Sequence, residues 1–202
     1  IDPNAFTVKT RPGALRHPVC ATTAPANAKG KNHTVLLIGD LGSEDAGAWC
    51  GTNRCPLDPP IAVEVTGDLP LEDGANGKGL SGPVIPLVAG PTLVLALGLK
   101  GGTIPSDCPP QTRQVVVAIW AGGVRPKPGA DQTTHLKGYR VATSRGEVRP
   151  FALGDLNDRD NYVHLCLATD VPAERVSFAP DILVDPRGDV NPETSVAVSQ
   201  AR

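Results

Sequence analysis

Residues 114–120, QVVVAIW, decide the fold class of this chain. They form an unbroken apolar run rich in β-branched side chains, which is typical of a strand buried on both faces. Residues 62–66 (AVEVT) and 162–166 (YVHLC) instead alternate apolar and polar side chains. Strands alternate in this way when one face contacts water. The sequence therefore predicts a β protein whose strands differ in burial.

The segments around these strands are short and are broken by glycine and proline. The chain has 22 Gly and 21 Pro, residues that interrupt long helices. No long segment keeps a helical period, and the best candidate for a helical turn is 173–175. We predict an all-β chain with sandwich-like strand spacing. Further strands are predicted at residues 34–38, 61–66, 92–99, 136–143, 148–153, 162–168, 176–178 and 182–184.

The stretch 70–90 is rich in Gly and Pro and has few large side chains, so we interpret it as a linker or long loop. It would separate an N-terminal sandwich, residues 1–69, from a C-terminal sandwich, residues 91–202. A single large jelly roll, with 70–90 as an internal loop, is the alternative. Because the chain starts with Ile-Asp-Pro-Asn, residues 1–7 are a candidate cloning remnant or the start of an excised fragment.

Charge and hydropathy exclude two classes of partner. The formal net charge is −2 and the basic residues are scattered, whereas nucleic-acid binders usually carry a basic stripe. The longest apolar run, residues 93–99, is far too short to cross a bilayer. We therefore expect no nucleic-acid partner and no membrane span in this fragment.

The chain has five cysteines, and none of them forms a Cys-x-x-Cys pair. In a β protein rich in Gly and Pro, this number favours two disulfides with one odd thiol and a secreted, extracellular or periplasmic location. The odd thiol, for which Cys20 is the best candidate, allows a covalent homodimer. The alternative is a cytosolic protein with five buried free cysteines. The cysteines are Cys20, Cys50, Cys55, Cys108 and Cys166.

The triplet Gly-Asp-Leu occurs at residues 39–41, 67–69 and 154–156. The first copy continues into residues 43–50, SEDAGAWC, which resemble the E–F corner and F strand of variable-type domains of the immunoglobulin superfamily. In that family an aromatic residue stands two positions before the second core cysteine, and Trp49 and Cys50 occupy those positions here. The resemblance implies that residues 34–38 form strand E and residues 61–66 form strand G.

The second half has the Cys…Trp…Cys order of the same family in Cys108, Trp120 and Cys166. The third Gly-Asp-Leu copy precedes Cys166 by nearly the distance at which the first precedes Cys50. The resemblance therefore implies two immunoglobulin-like sandwiches, the second with a Cys108–Cys166 bridge. In the first half, Cys20 is close to Cys50 for such a bridge, and Cys50 could instead pair with Cys55.

The acidic loop 155–161 contains the oxygen-bearing side chains of Asp155, Asn157, Asp158 and Asp160, which make a candidate calcium site. Its first four residues resemble the Asp-x-Asn-Asp linkers of cadherin-type repeats. The alternative is a turn in which Asp and Asn side chains cap their own backbone.

Two short motifs point to extracellular interactions. Arg187-Gly188-Asp189 is an integrin-type tripeptide in a loop flanked by prolines. Asn32-His33-Thr34 is an acceptor sequence for N-glycosylation at Asn32. Together with the corner motif, they favour a glycoprotein of the receptor-like, decoy or adhesive kind, secreted by a cell or encoded by a virus.

No sequence motif places a nucleophile for catalysis, although His164 with Asp155 or Asp158 gives a hydrolase alternative. We expect a non-enzymatic binding protein that recognises a protein ligand or cell-surface receptor through the loops at the sandwich ends. The runner-up is a single-domain jelly-roll or fibre-head structural protein of a virion or bacterial surface.

Overall fold

A computed structural model of the 202-residue chain describes residues 1–24, 33–43, 57–85, 89–99, 104–156 and 160–200, and the backbone alone at 49–50 and 53–54. The chain divides into two compact units, Ile1–Pro86 and Leu87–Arg202. Within the part of the chain that the structure describes, no helix combines the length and apolar character that crossing a membrane requires.

Unit 1 is built from short antiparallel strands and begins with a 3-10 helix at Pro3–Ala5. The strands are β1 (Phe6–Thr10), β2 (Leu15–Arg16), β3 (Cys20–Thr22), β4 (Leu36–Ile38), β5 (Trp49–Cys50), β6 (Asn53–Arg54), β7 (Pro60–Val65) and β8 (Ser81–Pro83). The main sheet has the strand order β2-β1-β7-β8, and two small ribbons pair β3 with β4 and β5 with β6.

The first and last parts of unit 1 both belong to its main sheet. Ala5 and Phe6 are buried with Val65 in the core of the unit, so the segment considered as a cloning remnant contributes to packing. At the other end, β8 pairs with β7 and lies within the stretch 70–90 that the sequence marks as a linker or loop. The residues of this stretch up to 85 therefore lie within unit 1.

The described part of unit 2 contains an eight-stranded sheet, curled like half a barrel, a two-stranded ribbon that pairs β11 with β17, and a short helix. The strand order is β13-β12-β16-β18-β9-β10-β15-β14, and β18 runs parallel to β9 while the other neighbours in this order are antiparallel. The elements are β9 (Thr92–Gly98), β10 (Gln114–Ala121), β11 (Arg125–Pro126), α1 (Gln132–Gly138), β12 (Tyr139–Thr143), β13 (Gly146–Val148), β14 (Ala152–Gly154), β15 (Tyr162–Leu167), β16 (Ala173–Phe178), β17 (Leu183–Val184) and β18 (Thr194–Gln200).

The apolar run that the sequence singles out is a central strand of this sheet. Every residue of β10 between its two ends is buried, as expected for a strand covered on both faces. Because the sheet curls, Val141 of β12 and Val163 of β15 reach the same core, although these strands lie near opposite ends of the strand order. The all-β prediction is confirmed.

Edge-to-face aromatic contacts close this core beneath α1. Trp120 lies with its ring centroid 5.0 Å from that of Phe178, and its Nε1 donates a buried hydrogen bond of 2.9 Å to the hydroxyl of Tyr139. The ring of Tyr139 in turn lies 4.5 Å from Phe178. Paired rings of this kind stabilise a core beyond the area they bury.

Three local predictions are wrong. A helix occupies Gln132–Gly138, where the sequence predicts loop and the start of a strand at 136; the Asp131 carboxylate caps it by accepting a 2.7 Å bond from Thr134 N. Residues 173–175, the candidate helical turn, begin β16 because they pair with β12 and β18. The strand predicted at 148–153 is split between β13 and β14.

The cysteines of unit 2 are joined, as the family resemblance implies. Cys108 and Cys166 form a disulfide with a Cα–Cα distance of 5.8 Å. It packs with Val115 in a small cluster beside the main core, whereas Trp120 belongs to the main core. Cys20 of unit 1 is a free, exposed thiol, as a covalent dimer would require. The side chain of Cys50 and all of Cys55 lie outside the described residues.

Candidate functional site

A cavity of about 440 Å³ opens at the end of the unit 2 sheet where β10 and β14 finish and β15 begins. Its walls come from the β10–β11 connection, α1, both ends of the β14–β15 connection and β17. Pockets that bind small molecules or side chains usually fall between about 300 and 1,000 Å³. This is a size at which a ligand group can be enclosed.

The cavity combines an apolar lining with polar groups from separate elements. Five of its residues are apolar: Val124, Pro126, Leu156, Val163 and Leu183. Seven others carry polar or charged side chains: Arg125, Gln132, His135, Asp155, Asp160, Asn161 and Tyr162. Binding pockets usually combine apolar surface with convergent polar groups, and this cavity supplies both.

His135 is the most distinctive polar residue of the cavity. Its side chain is 6% exposed and lies against the rings of Tyr139 and Phe178, at centroid distances of 5.6 and 5.9 Å. Burial lowers the pKa of His135 from its ordinary value near 6.5 to about 4, so the ring is neutral at physiological pH. Its Nε2 is buried and has no hydrogen-bond partner among the residues that the structure describes.

The acidic loop 155–161 has left-handed residues at both ends, and side chains at its C-terminal end bond to the backbone. Asp155 and Asn161 have φ values of 61° and 68°, in the left-handed region that Asp and Asn tolerate better than most residues. The Asn161 Oδ1 accepts a bond from Val124 N at 3.1 Å, which ties the loop to the β10–β11 connection. The buried Asp160 accepts a bond from Tyr162 N at 3.0 Å, the Asx-turn geometry that the sequence offers as the alternative to calcium.

Only two of the four residues in the calcium prediction are among the described residues. Asp155 and Asp160 line the cavity, while Asn157 and Asp158 lie outside the described residues. Among residues 1–24, 33–43, 57–85, 89–99, 104–156 and 160–200, no group of three or more His, Cys, Asp or Glu side chains is arranged to hold a metal ion.

His164 lies between two carboxylates next to the cavity. Its Nδ1 is 2.8 Å from Asp107 Oδ2, and its Nε2 is 3.6 Å from Asp155 Oδ2. The structure thus brings together His164 and Asp155, the pair of the hydrolase alternative. Both ring nitrogens face carboxylates. In a catalytic triad, by contrast, one imidazole nitrogen contacts the nucleophile.

The Arg-Gly-Asp tripeptide occupies a tight turn between β17 and β18. Arg187 and Gly188 are exposed and Asp189 is half-buried. The buried carboxylate of Asp185 accepts bonds from the backbone N–H groups of Arg187 and Asp189, at 2.8 and 3.0 Å. Gly188 has a φ of 94°, a conformation that favours glycine. A Cβ on Gly123 would meet Pro186 at 3.2 Å, so this turn packs beside the β10–β11 connection that borders the cavity.

Unit 1 carries a smaller groove, of about 270 Å³. The residues described around it include Phe6, Val35, Leu37 and Val63, and none of them is charged. It lacks the convergent polar groups of the unit 2 cavity. The glycosylation candidate Asn32 lies outside the described residues.

Two of the polar residues that the sequence did not single out are His135 and Asp107. His135 belongs to the unpredicted helix α1, and no spacing to another polar residue marked it. Asp107 is far from His164 along the chain, and the turn before Cys108 brings them together. Comparison of the chain with protein-family models, with curated proteins and with solved structures finds no match.

Proposed function

We propose that this chain is a non-enzymatic binding protein of the extracytoplasmic space, and that it recognises a protein ligand through the loops at the cavity end of unit 2. The observation that carries the proposal is the cavity itself. The β10–β11 and β14–β15 connections meet around it together with α1 and β17, and loops held by a rigid sheet are where binding residues usually lie.

A protein ligand fits this end of the unit better than a free small molecule does. The cavity borders the β10–β11 connection, and the Arg-Gly-Asp turn packs against the same connection through Pro186 and Gly123. A protein surface can contact an exposed turn and fill a cavity at the same time. The turn supplies the exposed Arg187, and the cavity encloses one anchoring group of the partner.

The proposed location rests on the disulfide. A bond between Cys108 and Cys166 persists in oxidising compartments and is rare in a reducing cytosol. We also propose that the two units are immunoglobulin-like sandwiches, in which the curled sheet of unit 2 folds over one core that both β12 and β15 contact. The all-β composition and the Cys108–Cys166 bond support this assignment; an experimental structure with a different strand connectivity would overturn it.

The absence of catalysis is part of the proposal and rests on His164. Its ring is flanked by Asp107 and Asp155, so a general-base role would require at least one carboxylate to move away. Turnover of any ester, peptide or glycoside substrate that is abolished by His164→Ala would overturn this part of the proposal.

The binding proposal is tested by selecting peptides from a displayed random library on the immobilised full chain. Val124→Trp places a large side chain in the cavity wall, whereas the matched variant Val94→Trp changes an exposed position of β9. We expect the selected peptides to bind Val124→Trp at least tenfold more weakly than the parent chain, and Val94→Trp equally well. Equal binding to Val124→Trp would show that the cavity does not take part.

A further inference from the structure

We propose that the cavity of unit 2 encloses a phenol, the tyrosine side chain of the protein ligand, with its hydroxyl group bonded to His135 Nε2. The inference rests on the proposed function and deepens it, because it names the group that anchors the partner. Three features of the cavity lead to it: the unpartnered imidazole nitrogen, the apolar wall and the balance of charges.

The unpartnered nitrogen of His135 favours a ligand with a hydroxyl group. A neutral imidazole has one donor and one acceptor nitrogen, and the side chain alone does not fix which of the two carries the proton. Since Nε2 of His135 has no partner in the described part of the chain, a ligand that bonds to it removes the cost of leaving it buried and unpaired. A hydroxyl both donates and accepts, so it satisfies either tautomer.

The apolar side chains of the cavity wall favour a ligand that carries an apolar ring next to this hydroxyl group. Val124, Pro126 and Leu156 line the cavity together with Val163 and Leu183. A sugar or other polyol would place some of its hydroxyl groups against these aliphatic side chains, where those groups would lose their hydrogen bonds to water. A phenol has one hydroxyl at the end of an apolar ring and avoids this cost.

The charges of the cavity disfavour an anionic head group. Asp155 and Asp160 both line the cavity, and Arg125, exposed on β11, is the one Lys or Arg among its described residues. A phosphotyrosine or a carboxylate would bring a further negative charge close to Asp155 and Asp160. A lysine would be attracted by the carboxylates, but Asp160 already accepts a backbone bond and Asp155 faces His164. An uncharged phenol needs neither group.

The test uses the full chain with histidine rings labelled with ¹⁵N and four probes: the N-acetyl amides of tyrosine, phenylalanine, lysine and phosphotyrosine. Titration by NMR gives a Kd for each probe and reports on the Nε2 signal of His135. We expect the tyrosine probe to bind at least about tenfold more tightly than the phenylalanine probe, because only the former pairs the buried nitrogen. The Nε2 signal should move further with tyrosine than with any other probe, because only the phenol bonds to this nitrogen.

His135→Leu replaces the imidazole by an apolar side chain of similar size and so removes the nitrogen. In this variant the tyrosine and phenylalanine probes should bind equally, with the phenylalanine Kd unchanged. The matched variant His33→Leu, at an exposed position of unit 1, should retain the preference for tyrosine. Retained phenylalanine binding also verifies that the cavity of His135→Leu is folded.

Three results would overturn the inference: equal Kd values for tyrosine and phenylalanine in the parent chain, tightest binding by lysine or phosphotyrosine, or a tyrosine preference that survives in His135→Leu. Each of them leaves the broader proposal standing if library peptides still lose binding to Val124→Trp. If those peptides bind Val124→Trp normally while the tyrosine probe still moves the His135 signal, the broader proposal fails and the phenol site remains.

Discussion

The backbone of Gly154 lies directly against the carboxylate of Asp107, so closely that a Cβ at Gly154 would stand 2.5 Å from Asp107 Oδ2. The same oxygen lies 2.8 Å from His164 Nδ1, and Gly154 is paired with His164 across β14 and β15. The glycine of the third Gly-Asp-Leu triplet therefore leaves room for a carboxylate that reaches the sheet from the loop before Cys108.

We predict that Gly154→Ala pushes the Asp107 carboxylate away from His164. Losing a hydrogen bond to a charged group in a half-buried place should lower the free energy of unfolding by about 1–3 kcal/mol. Urea denaturation followed by circular dichroism measures this loss. The control is Gly82→Ala, because Gly82 also lies in a strand but has nothing within 4 Å of an added Cβ. Equal losses in the two variants would show that the contact with Asp107 is not the cause.

The sequence predicts those parts of the fold in which the burial of a strand is visible as a continuous pattern of apolar residues. The apolar run in β10 and the alternation in β15 directly reflect which faces are covered, and both strands are where we predict them. Helix α1 has only seven residues, which is too short to show a hydrophobic period. It depends on the cap at Asp131 and on contacts of His135 with rings from other strands, which a local pattern does not contain.

The same distinction applies to the site. Asp155 and His164 are recognisable as neighbours because Asp155 begins the short loop that leads into β15, the strand of His164. Asp107 and His135 join the site only through the tertiary arrangement. The Arg-Gly-Asp triplet has a structural explanation that the sequence alone does not reveal, since Asp185 organises its backbone and Gly188 adopts a positive φ.

We predict that replacing both Cys108 and Cys166 by alanine destabilises the chain by about 4 kcal/mol, because the disulfide closes a loop between residues separated by 58 positions. The loss should appear as a lower midpoint of urea denaturation monitored by tryptophan fluorescence, to which Trp49 and Trp120 both contribute. Cys20→Ala removes an exposed free thiol and should stay within about 0.5 kcal/mol of the parent chain. An unchanged midpoint in the double variant would contradict a stabilising role for the bond.

We predict that the shape of the Arg-Gly-Asp turn depends on the Asp185 carboxylate. Asp185→Ala leaves the N–H groups of Arg187 and Asp189 without their acceptor, which should cost about 1–3 kcal/mol. Amide hydrogen exchange at residues 187 and 189 should become faster. Asp185→Asn retains an acceptor oxygen and should exchange nearly as slowly as the parent chain. Fast exchange in Asp185→Asn together with slow exchange in Asp185→Ala would show that the acceptor oxygen at position 185 does not hold the turn.

The last prediction concerns the pH dependence of stability, which follows from the burial of His135. In the unfolded chain this imidazole binds a proton below a pH of about 6.5, whereas in the folded protein its pKa is lowered to about 4. The unfolded state therefore binds more protons between these two values, and stability falls as the pH falls through this window. Other titrating groups line the cavity with it, namely Asp155, Asp160 and Arg125, so the contribution of His135 is measured as a difference between variants.

At pH 5 the contribution should amount to about 2 kcal/mol of lost stability relative to pH 7, since each pKa unit is worth about 1.4 kcal/mol. His135→Leu should remove this part of the pH dependence, so that the variant gains about 2 kcal/mol relative to the parent chain when the pH changes from 7 to 5. Thr133→Leu, at an exposed position of the same helix, should follow the parent curve. Parallel curves for His135→Leu and the parent chain would mean that the imidazole titrates alike in the folded and unfolded states, and that its nitrogen is open to water.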